Sequence, residues 1–179
     1  MRQEKNYTFE INIPETLTIK KYKSTLLFSG PLGSTGIDLE KIDPTGVSAL
    51  FLSDTVVKII TPSKSLTGLF KKIFLNKIQG VTRGFLLYLK IVGIGYRAHL
   101  ENNSLFLKLG YSHDIIYNIP SSVKIFLVDP TLLCVFGIDK NQVSQIASKL
   151  RQLRKPSVYK GKGIRFFDEK IHLKTGKRK

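Results

Sequence analysis

The first part of the chain changes from a strand-like to a helix-like spacing of hydrophobic positions. The segments YTFEINI (7–13) and STLLFSG (24–30) alternate between apolar and polar residues, as expected of strands with one buried face. In the segment 65–80 the apolar residues follow helical spacing, and Gly80 supplies a stop signal. The residues with this spacing are Leu66, Leu69, Phe70, Ile73 and Phe74. This part therefore predicts strands followed by one helix.

The second part of the chain repeats this order with more strands. The segments 85–100 and 104–111 alternate, and the turn sequence ENN between them predicts a hairpin. The segments DIIYNI (114–119), SVKIFLV (122–128) and TLLCVFG (131–137) extend the predicted sheet. A helix follows, with an apolar stripe formed by Val143, Ile146, Ala147, Leu150 and Leu153.

The ends of this second helix are marked by residues typical of helix termini. Asp139 is a good N-cap, and Gln142 three positions later completes a capping box. Pro156 ends the helix. The chain therefore predicts an α+β protein of two similar tandem domains, each an antiparallel sheet packed with one helix, plus a basic C-terminal tail. We place the domains at 1–82 and 83–155, and a basic extension at 156–179.

Two short matches indicate that the domains are duplicated. IPETLTI (13–19) resembles IPSSVKI (119–125), and TLL occurs at both 25–27 and 131–133. Both pairs are separated by the same number of positions, which is the property of an internal repeat.

The charge of the chain is strongly positive and is concentrated near its end. The 179 residues carry 29 Lys and Arg against 13 Asp and Glu, a formal net charge of +16. Eleven of these cations and only two of the acids fall in residues 151–179. A polyanion is the natural partner, either nucleic acid or an anionic membrane surface. The basic segment lacks the apolar stripe of an interfacial helix, and the apolar runs are too short to span a bilayer, so nucleic acid is favoured over a membrane. A tail that only improves solubility is the remaining alternative.

Motifs for catalysis and cofactor binding are not legible in the sequence. GIGYRA (93–98) fits the glycine spacing of a dinucleotide fingerprint, but a hairpin follows it where that motif needs a helix. Its glycines instead predict a strand bulge or a close backbone approach. His99, His113 and His172 are too scattered for a metal site, and Cys134 lies in an apolar run typical of a core. We therefore predict no enzyme, no cofactor and no small-molecule substrate.

The segment PSVYKGKGIR (156–165) resembles the signature of the universal L-six family of large-subunit ribosomal proteins, Pro-x-x-Tyr-Lys-Gly-Lys-Gly-aliphatic. The resemblance continues through GVTRGF (80–85), LKIVGIGYRA (89–98), LGYSH (109–113) and GIDKNQV (137–143), and covers nearly all of the second domain. The first domain matches more loosely. There SGPLGS (29–34) stands where the family usually has Lys-Gly-Pro-Lys-Gly.

This resemblance implies a non-enzymatic ribosomal protein. It would bind large-subunit rRNA near the stalk base and the sarcin–ricin region, mainly through its second domain and basic C-terminus, beside neighbouring ribosomal proteins. It would support assembly and the transient docking of translation factors. The open alternative is an RNA-binding module or a small RNA-modifying enzyme that acts outside the ribosome.

The predicted rRNA-binding residues combine cations for phosphates, Tyr159 for stacking or packing, and two glycines that would let the main chain lie flat against RNA. They are Arg151, Arg154, Lys155, Tyr159, Lys160, Gly161, Lys162, Gly163, Arg165, Lys174, Lys177, Arg178 and Lys179. A simple turn after Pro156 is the alternative explanation of the glycines. We also expect residues 166–179 to become ordered only against RNA.

The amino-acid composition and the first residues of the chain bear on its cellular compartment. Segments rich in Phe, Ile, Lys and Asn, such as LFKKIFLNKI (69–78), indicate an AT-rich genome. The first residues, MRQEKNYTFE, resemble neither a secretory signal nor an Arg- and Ser-rich transit peptide. We therefore expect the ribosome of a mitochondrial matrix, with the bacterial cytoplasm or the plastid stroma as alternatives.

Overall fold

The computed structural model describes residues 6–44, 46, 48–53 and 55–176. The chain divides into two compact units, Met1–Gly84 and Phe85–Lys179. Both units consist of antiparallel strands and one long helix. The predicted α+β class with two similar sheet-and-helix domains is confirmed.

The first unit holds two three-stranded sheets. Its elements are β1 (Tyr7–Asn12), β2 (Thr18–Tyr22), β3 (Thr25–Gly30), β4 (Gly33–Asp38), the single-turn α1 (Leu39–Ile42), β5 (Ala49–Leu52), β6 (Val56–Thr61) and α2 (Lys64–Thr82). The sheets have the strand orders β1-β6-β5 and β2-β3-β4. Helix α2 packs on both of them, and Phe74 meets Phe28 edge-on in the core at 5.4 Å between ring centroids.

The second unit holds a four-stranded and a three-stranded sheet. Its elements are β7 (Phe85–Val92), β8 (Arg97–Glu101), β9 (Ser104–Lys108), β10 (Ile115–Asn118), β11 (Val123–Asp129), β12 (Leu132–Gly137), α3 (Lys140–Leu153) and β13 (Gly163–Phe166). The strand orders are β11-β12-β7-β13 and β10-β9-β8.

Helix α3 forms where its periodicity predicts it. The Asp139 carboxylate caps its first turn by accepting a hydrogen bond from the Asn141 N–H at 2.9 Å. The predicted stripe is buried at Val143, Ile146, Ala147 and Leu150, whereas Leu153 at the helix end is half-buried. This stripe covers one face of the four-stranded sheet.

The two units repeat the same order of elements, but not in the register that the short sequence matches suggested. Sheet β1-β6-β5 corresponds to β7-β12-β11, and β2-β3-β4 corresponds to β8-β9-β10. The TLL matches instead pair β3 with β12. That register is wrong, because short alternating matches recur between any two hairpins. The duplication is visible in the topology.

Part of the predicted basic extension at 156–179 is built into the second unit. Residues 163–166 form β13, which pairs with β7, and Ile164 is fully buried in the core of the unit. The residues that follow also contact the unit. The Phe167 N–H donates to the Tyr88 carbonyl at 3.0 Å, and the Lys174 N–H donates to the Val158 carbonyl at 2.9 Å. Residues 167 and 174 therefore have contacts inside the unit, and ordering of the tail against RNA stays a prediction.

Candidate nucleic-acid interface

An open groove in the second unit collects four cations. It encloses about 450 Å³ and is lined by Tyr96, Arg154, Lys155, Ser157, Lys160 and Lys162. Lys155 and Lys160 are exposed, and Arg154 and Lys162 are half-buried. Among the described residues, no carboxylate belongs to this lining. The groove therefore presents concentrated positive charge beside one aromatic ring, which suits a phosphate backbone.

The loop between α3 and β13 brings these cations together. The Gly161 N–H donates to the Ser157 carbonyl at 2.8 Å, and the Ser157 N–H donates to the Lys162 carbonyl at 3.0 Å. The Ile164 N–H donates to the Arg154 carbonyl at 2.8 Å. These bonds close the loop into a compact turn, so that Lys160 and Lys162 face the same groove as Arg154.

The backbone conformation and contacts of the two loop glycines, Gly161 and Gly163, are explained by the unit itself. Gly163 has φ +146°, and a Cβ there would lie 2.7 Å from the Lys155 carbonyl oxygen and from the Pro156 backbone. Gly163 is also buried, and its bare backbone is pressed against Lys155 and Pro156. Contact of this residue with rRNA stays a prediction. Gly161 is half-buried and has φ +67°, which a turn requires and a side chain disfavours.

Arg154 lies beside two tyrosines, Tyr111 and Tyr96. Its Cζ lies 4.5 Å from the centroid of the Tyr111 ring, which is a cation–π distance. The Tyr111 hydroxyl donates to the Leu153 carbonyl at 2.9 Å. Hydrogen bonding with Tyr111, and more weakly with Tyr96, raises the pKa of Arg154 above its ordinary value. The guanidinium is thus held in place while its charge is preserved.

Glycines make room for the ring of Tyr96. A Cβ on Gly93 would lie 2.5 Å from Tyr96 Cδ2, and a Cβ on Gly110 would lie 2.8 Å from Tyr96 Cε1. The close approach predicted at Gly93 is therefore made by an aromatic ring rather than by a backbone. Sequence reasoning missed Tyr96 and Tyr111 as site residues. The signal that could have found them is the Gly-Tyr pair in each of GIGYRA and LGYSH.

The guanidinium of Arg151 pairs with Glu169 in the C-terminal segment. Its Nε donates to Glu169 Oε2 at 2.9 Å, and a terminal nitrogen donates to Glu169 Oε1. This bidentate pair raises the pKa of Arg151 and lowers that of Glu169. The Arg151 guanidinium also lies over the Phe166 ring. Two of its donors bind a carboxylate, so Arg151 joins the C-terminal segment to α3. It is not among the residues that line the groove, and its contact with rRNA stays a prediction.

The other predicted residues are distributed around this loop. Tyr159 is 61% exposed, and Lys174 is exposed beside Val158. Arg165 is on β13, opposite Lys90 of β7. The predicted contacts at Lys177, Arg178 and Lys179 lie outside the described residues.

The described residues give no support to a metal site or to a membrane-spanning helix. In that part of the chain, no group of three or more His, Cys, Asp or Glu side chains could hold a metal ion. No helix there combines the length and the apolar character needed to cross a membrane.

Comparison with known proteins agrees with the motifs. A family model described as Ribosomal protein L6 matches residues 92–166. Large ribosomal subunit protein uL6m of Prototheca wickerhamii is 45% identical over 94% of this chain and 95% of its own length. The uL6 protein of Thermosipho africanus is 38% identical over 94% of this chain and 95% of its own length. That of Chlorobium limicola is 48% identical over 64% of both chains. The chain therefore belongs to the ribosomal protein L6 family of large-subunit ribosomal proteins.

Proposed function

We propose that this protein binds large-subunit rRNA through the basic groove at the end of α3. The observation that carries the proposal is the convergence of Arg154, Lys155, Lys160 and Lys162 around one open groove without a carboxylate in its lining. Each cation neutralises a phosphate and releases counterions, which is the main source of affinity for nucleic acid. Family membership itself makes the chain a structural ribosomal protein and not an enzyme, as predicted.

We propose different tasks for the predicted residues. The four groove cations bind phosphates, and Tyr159, which is exposed on the same loop, stacks on a base or sugar. Lys174 extends the positive surface beyond the loop, and Lys177, Arg178 and Lys179 continue it along the sequence. Gly161 shapes the turn that carries Lys160 and Lys162.

The place of the protein in the subunit is proposed from the family resemblance. We propose a position at the stalk base near the sarcin–ricin region, in contact with neighbouring ribosomal proteins. There the protein would support assembly and meet translation factors transiently. The proposed compartment is the mitochondrial matrix. It is supported by an amino-acid composition typical of an AT-rich genome and by the similarity to the uL6m protein of Prototheca wickerhamii.

The groove is tested by the salt dependence of rRNA binding. In the double variant Lys160→Gln/Lys162→Gln, affinity for an rRNA fragment containing the sarcin–ricin region should fall. Its dependence on salt should flatten by roughly 0.7 to 0.9 log units per lost contact and per decade of salt.

The matched control is Lys20→Gln/Lys21→Gln, which removes the same charge from an exposed pair on β2. If the logarithm of affinity falls with the logarithm of salt concentration by the same slope in both double variants, the groove lysines act only through net charge. That result would refute the groove as the binding site.

A further inference from the structure

The four-stranded sheet of the second unit has a face that α3 does not cover. Helix α3 packs on the face that carries Leu89, Ile91, Leu133, Val135 and Ile164. Because side chains alternate along strands, the neighbouring positions point to the opposite face. Large apolar side chains are exposed there: Leu86 by 52%, Tyr88 by 41% and Phe126 by 50%.

Aromatic side chains cross this face in one row. Phe126 of β11 is opposite Cys134 of β12, and Cys134 is opposite Tyr88 of β7. Phe167 continues the row, because its N–H bonds to the Tyr88 carbonyl, and its ring centroid lies 6.4 Å from that of Tyr88. Neighbouring strands are about 4.8 Å apart, so Phe126 and Tyr88 stand on either side of the small, buried Cys134. Phe167 is 58% exposed, and the row offers several exposed rings to one ligand.

Cations stand in the rows beside these rings. Lys124 precedes Phe126 by two positions on β11, and Lys90 of β7 is opposite Arg165 of β13. The carboxylates Asp129 and Asp168 lie at the edges of the face, at the end of β11 and after β13. The charge in the middle of the face is therefore positive, which favours a polyanion over an ordinary protein surface.

The face also borders the basic groove. Val92 at the end of β7 is paired with Gly163 at the start of β13. The residues next to this pair are Gly93, which supports Tyr96 in the groove, and Lys162, which lines it. The groove and the sheet therefore adjoin at the Val92–Gly163 pair.

We propose that the row of Phe126, Tyr88 and Phe167 binds unstacked bases of a single-stranded rRNA segment whose backbone continues into the groove. Every base has a flat face that stacks on an aromatic ring, and nearby Lys and Arg side chains bind the phosphates between bases. This inference rests on the proposed rRNA-binding function. It adds a second surface and specifies single-stranded rather than duplex RNA.

The test uses the full chain and two RNA probes. One is a short single-stranded oligoadenylate with a central 2-aminopurine, whose fluorescence falls when the base stacks; the other is an RNA duplex of the same length. Tyr88→Leu and Phe126→Leu remove the rings but keep apolar side chains. Each should weaken single-strand binding by about fivefold or more, reduce quenching at saturation, and leave duplex binding unchanged. Phe51→Leu, at a 57% exposed ring in the first unit, should behave as the wild type.

The groove variant Lys160→Gln/Lys162→Gln keeps this result separate from the proposed function. It should weaken the binding of both probes, because phosphates occur in both. If that loss occurs while the ring variants quench and bind as the wild type does, the aromatic row is refuted and the groove stands. If the groove variant binds both probes normally, the groove is refuted, whatever the ring variants do.

If the partner on this face were a protein, the variants would give different results. In that case Tyr88→Leu and Phe126→Leu would bind RNA normally, and only Tyr88→Glu and Phe126→Glu would fail to join large subunits in reconstitution. That outcome would overturn the proposal in favour of an apolar protein contact. Unchanged melting temperatures of all variants establish that the effects are local.

Discussion

At the scale of single residues, Gly163 and Tyr96 show how the loop sequence is set by contacts inside the unit. Gly163 has backbone where a Cβ would be, and Gly93 and Gly110 have the Tyr96 ring there. The motifs PSVYKGKGIR, GIGYRA and LGYSH therefore meet around one groove. Their glycines allow close packing, while Lys160 and Lys162 on the loop supply charge.

Substituting Gly163 by alanine should destabilise the protein rather than impair the binding of its folded form. The added Cβ meets backbone at 2.7 Å, and φ +146° is strained for any side chain. We expect a loss of about 1–3 kcal/mol in the free energy of unfolding, measured by urea denaturation.

Gly176→Ala provides the comparison for this variant, because no atom lies within 4 Å of the added Cβ. It should leave stability nearly unchanged. If Gly163→Ala instead kept full stability and lost affinity for rRNA, its close approach would be to RNA, and the intramolecular explanation would be wrong.

At the scale of elements, the long helices were easier to predict than the last strand. Helices α2 and α3 have several turns of regular apolar spacing, so their signal accumulates over many residues. Strand β13 has four residues, of which Gly163 and Arg165 are untypical of a strand. Its position next to β7 depends on pairing with a distant segment, which no local pattern reveals.

The same reasoning separates the predicted from the missed site residues. Arg154, Lys155, Lys160 and Lys162 were found because charge is visible in composition. Tyr96 and Tyr111 were missed because they reach Arg154 only after the chain has folded. The partner of Arg151 was missed for the same reason, since Glu169 is distant in sequence.

The burial of strand β13 predicts that a substitution in it lowers the free energy of unfolding. Ile164 is fully buried between the sheet and α3, so Ile164→Ala should cost about 2–5 kcal/mol in the free energy of unfolding. Ile94→Ala removes the same atoms from a side chain that is 88% exposed, and should change stability by about 0.5 kcal/mol or less. Similar small losses in both variants, measured by urea denaturation, would mean that 163–166 is a detached tail after all.

At the scale of the whole molecule, the net charge of +16 is larger than the charge available to a partner at any one site. That total already counts pairs such as Arg151 with Glu169 and Lys58 with Glu10 as neutral, and the other cations are spread along the chain. The groove nevertheless gathers four cations of the second unit on one short loop and helix end. Affinity for rRNA should therefore depend on where charge is removed, and not only on how much.

Sedimentation of the tagged protein in a cell lysate should test both membership in the ribosome and this dependence. The wild type should migrate with large subunits and stay bound at high salt. Lys160→Gln/Lys162→Gln should dissociate at lower salt than Lys20→Gln/Lys21→Gln, because counterion release is lost at the groove. Migration of the wild type as a free protein at low salt would favour a module that acts outside the ribosome.

The position of the groove at the end of α3 has an electrostatic consequence. The last carbonyl groups of a helix carry the negative end of its macrodipole, equivalent to about half an elementary charge. Arg154 and Lys155 follow Leu153 directly at this end. The field of the helix offsets part of the repulsion between neighbouring cations before any phosphate arrives. The free protein can therefore keep its binding surface assembled, and the rRNA need not first draw the cations together.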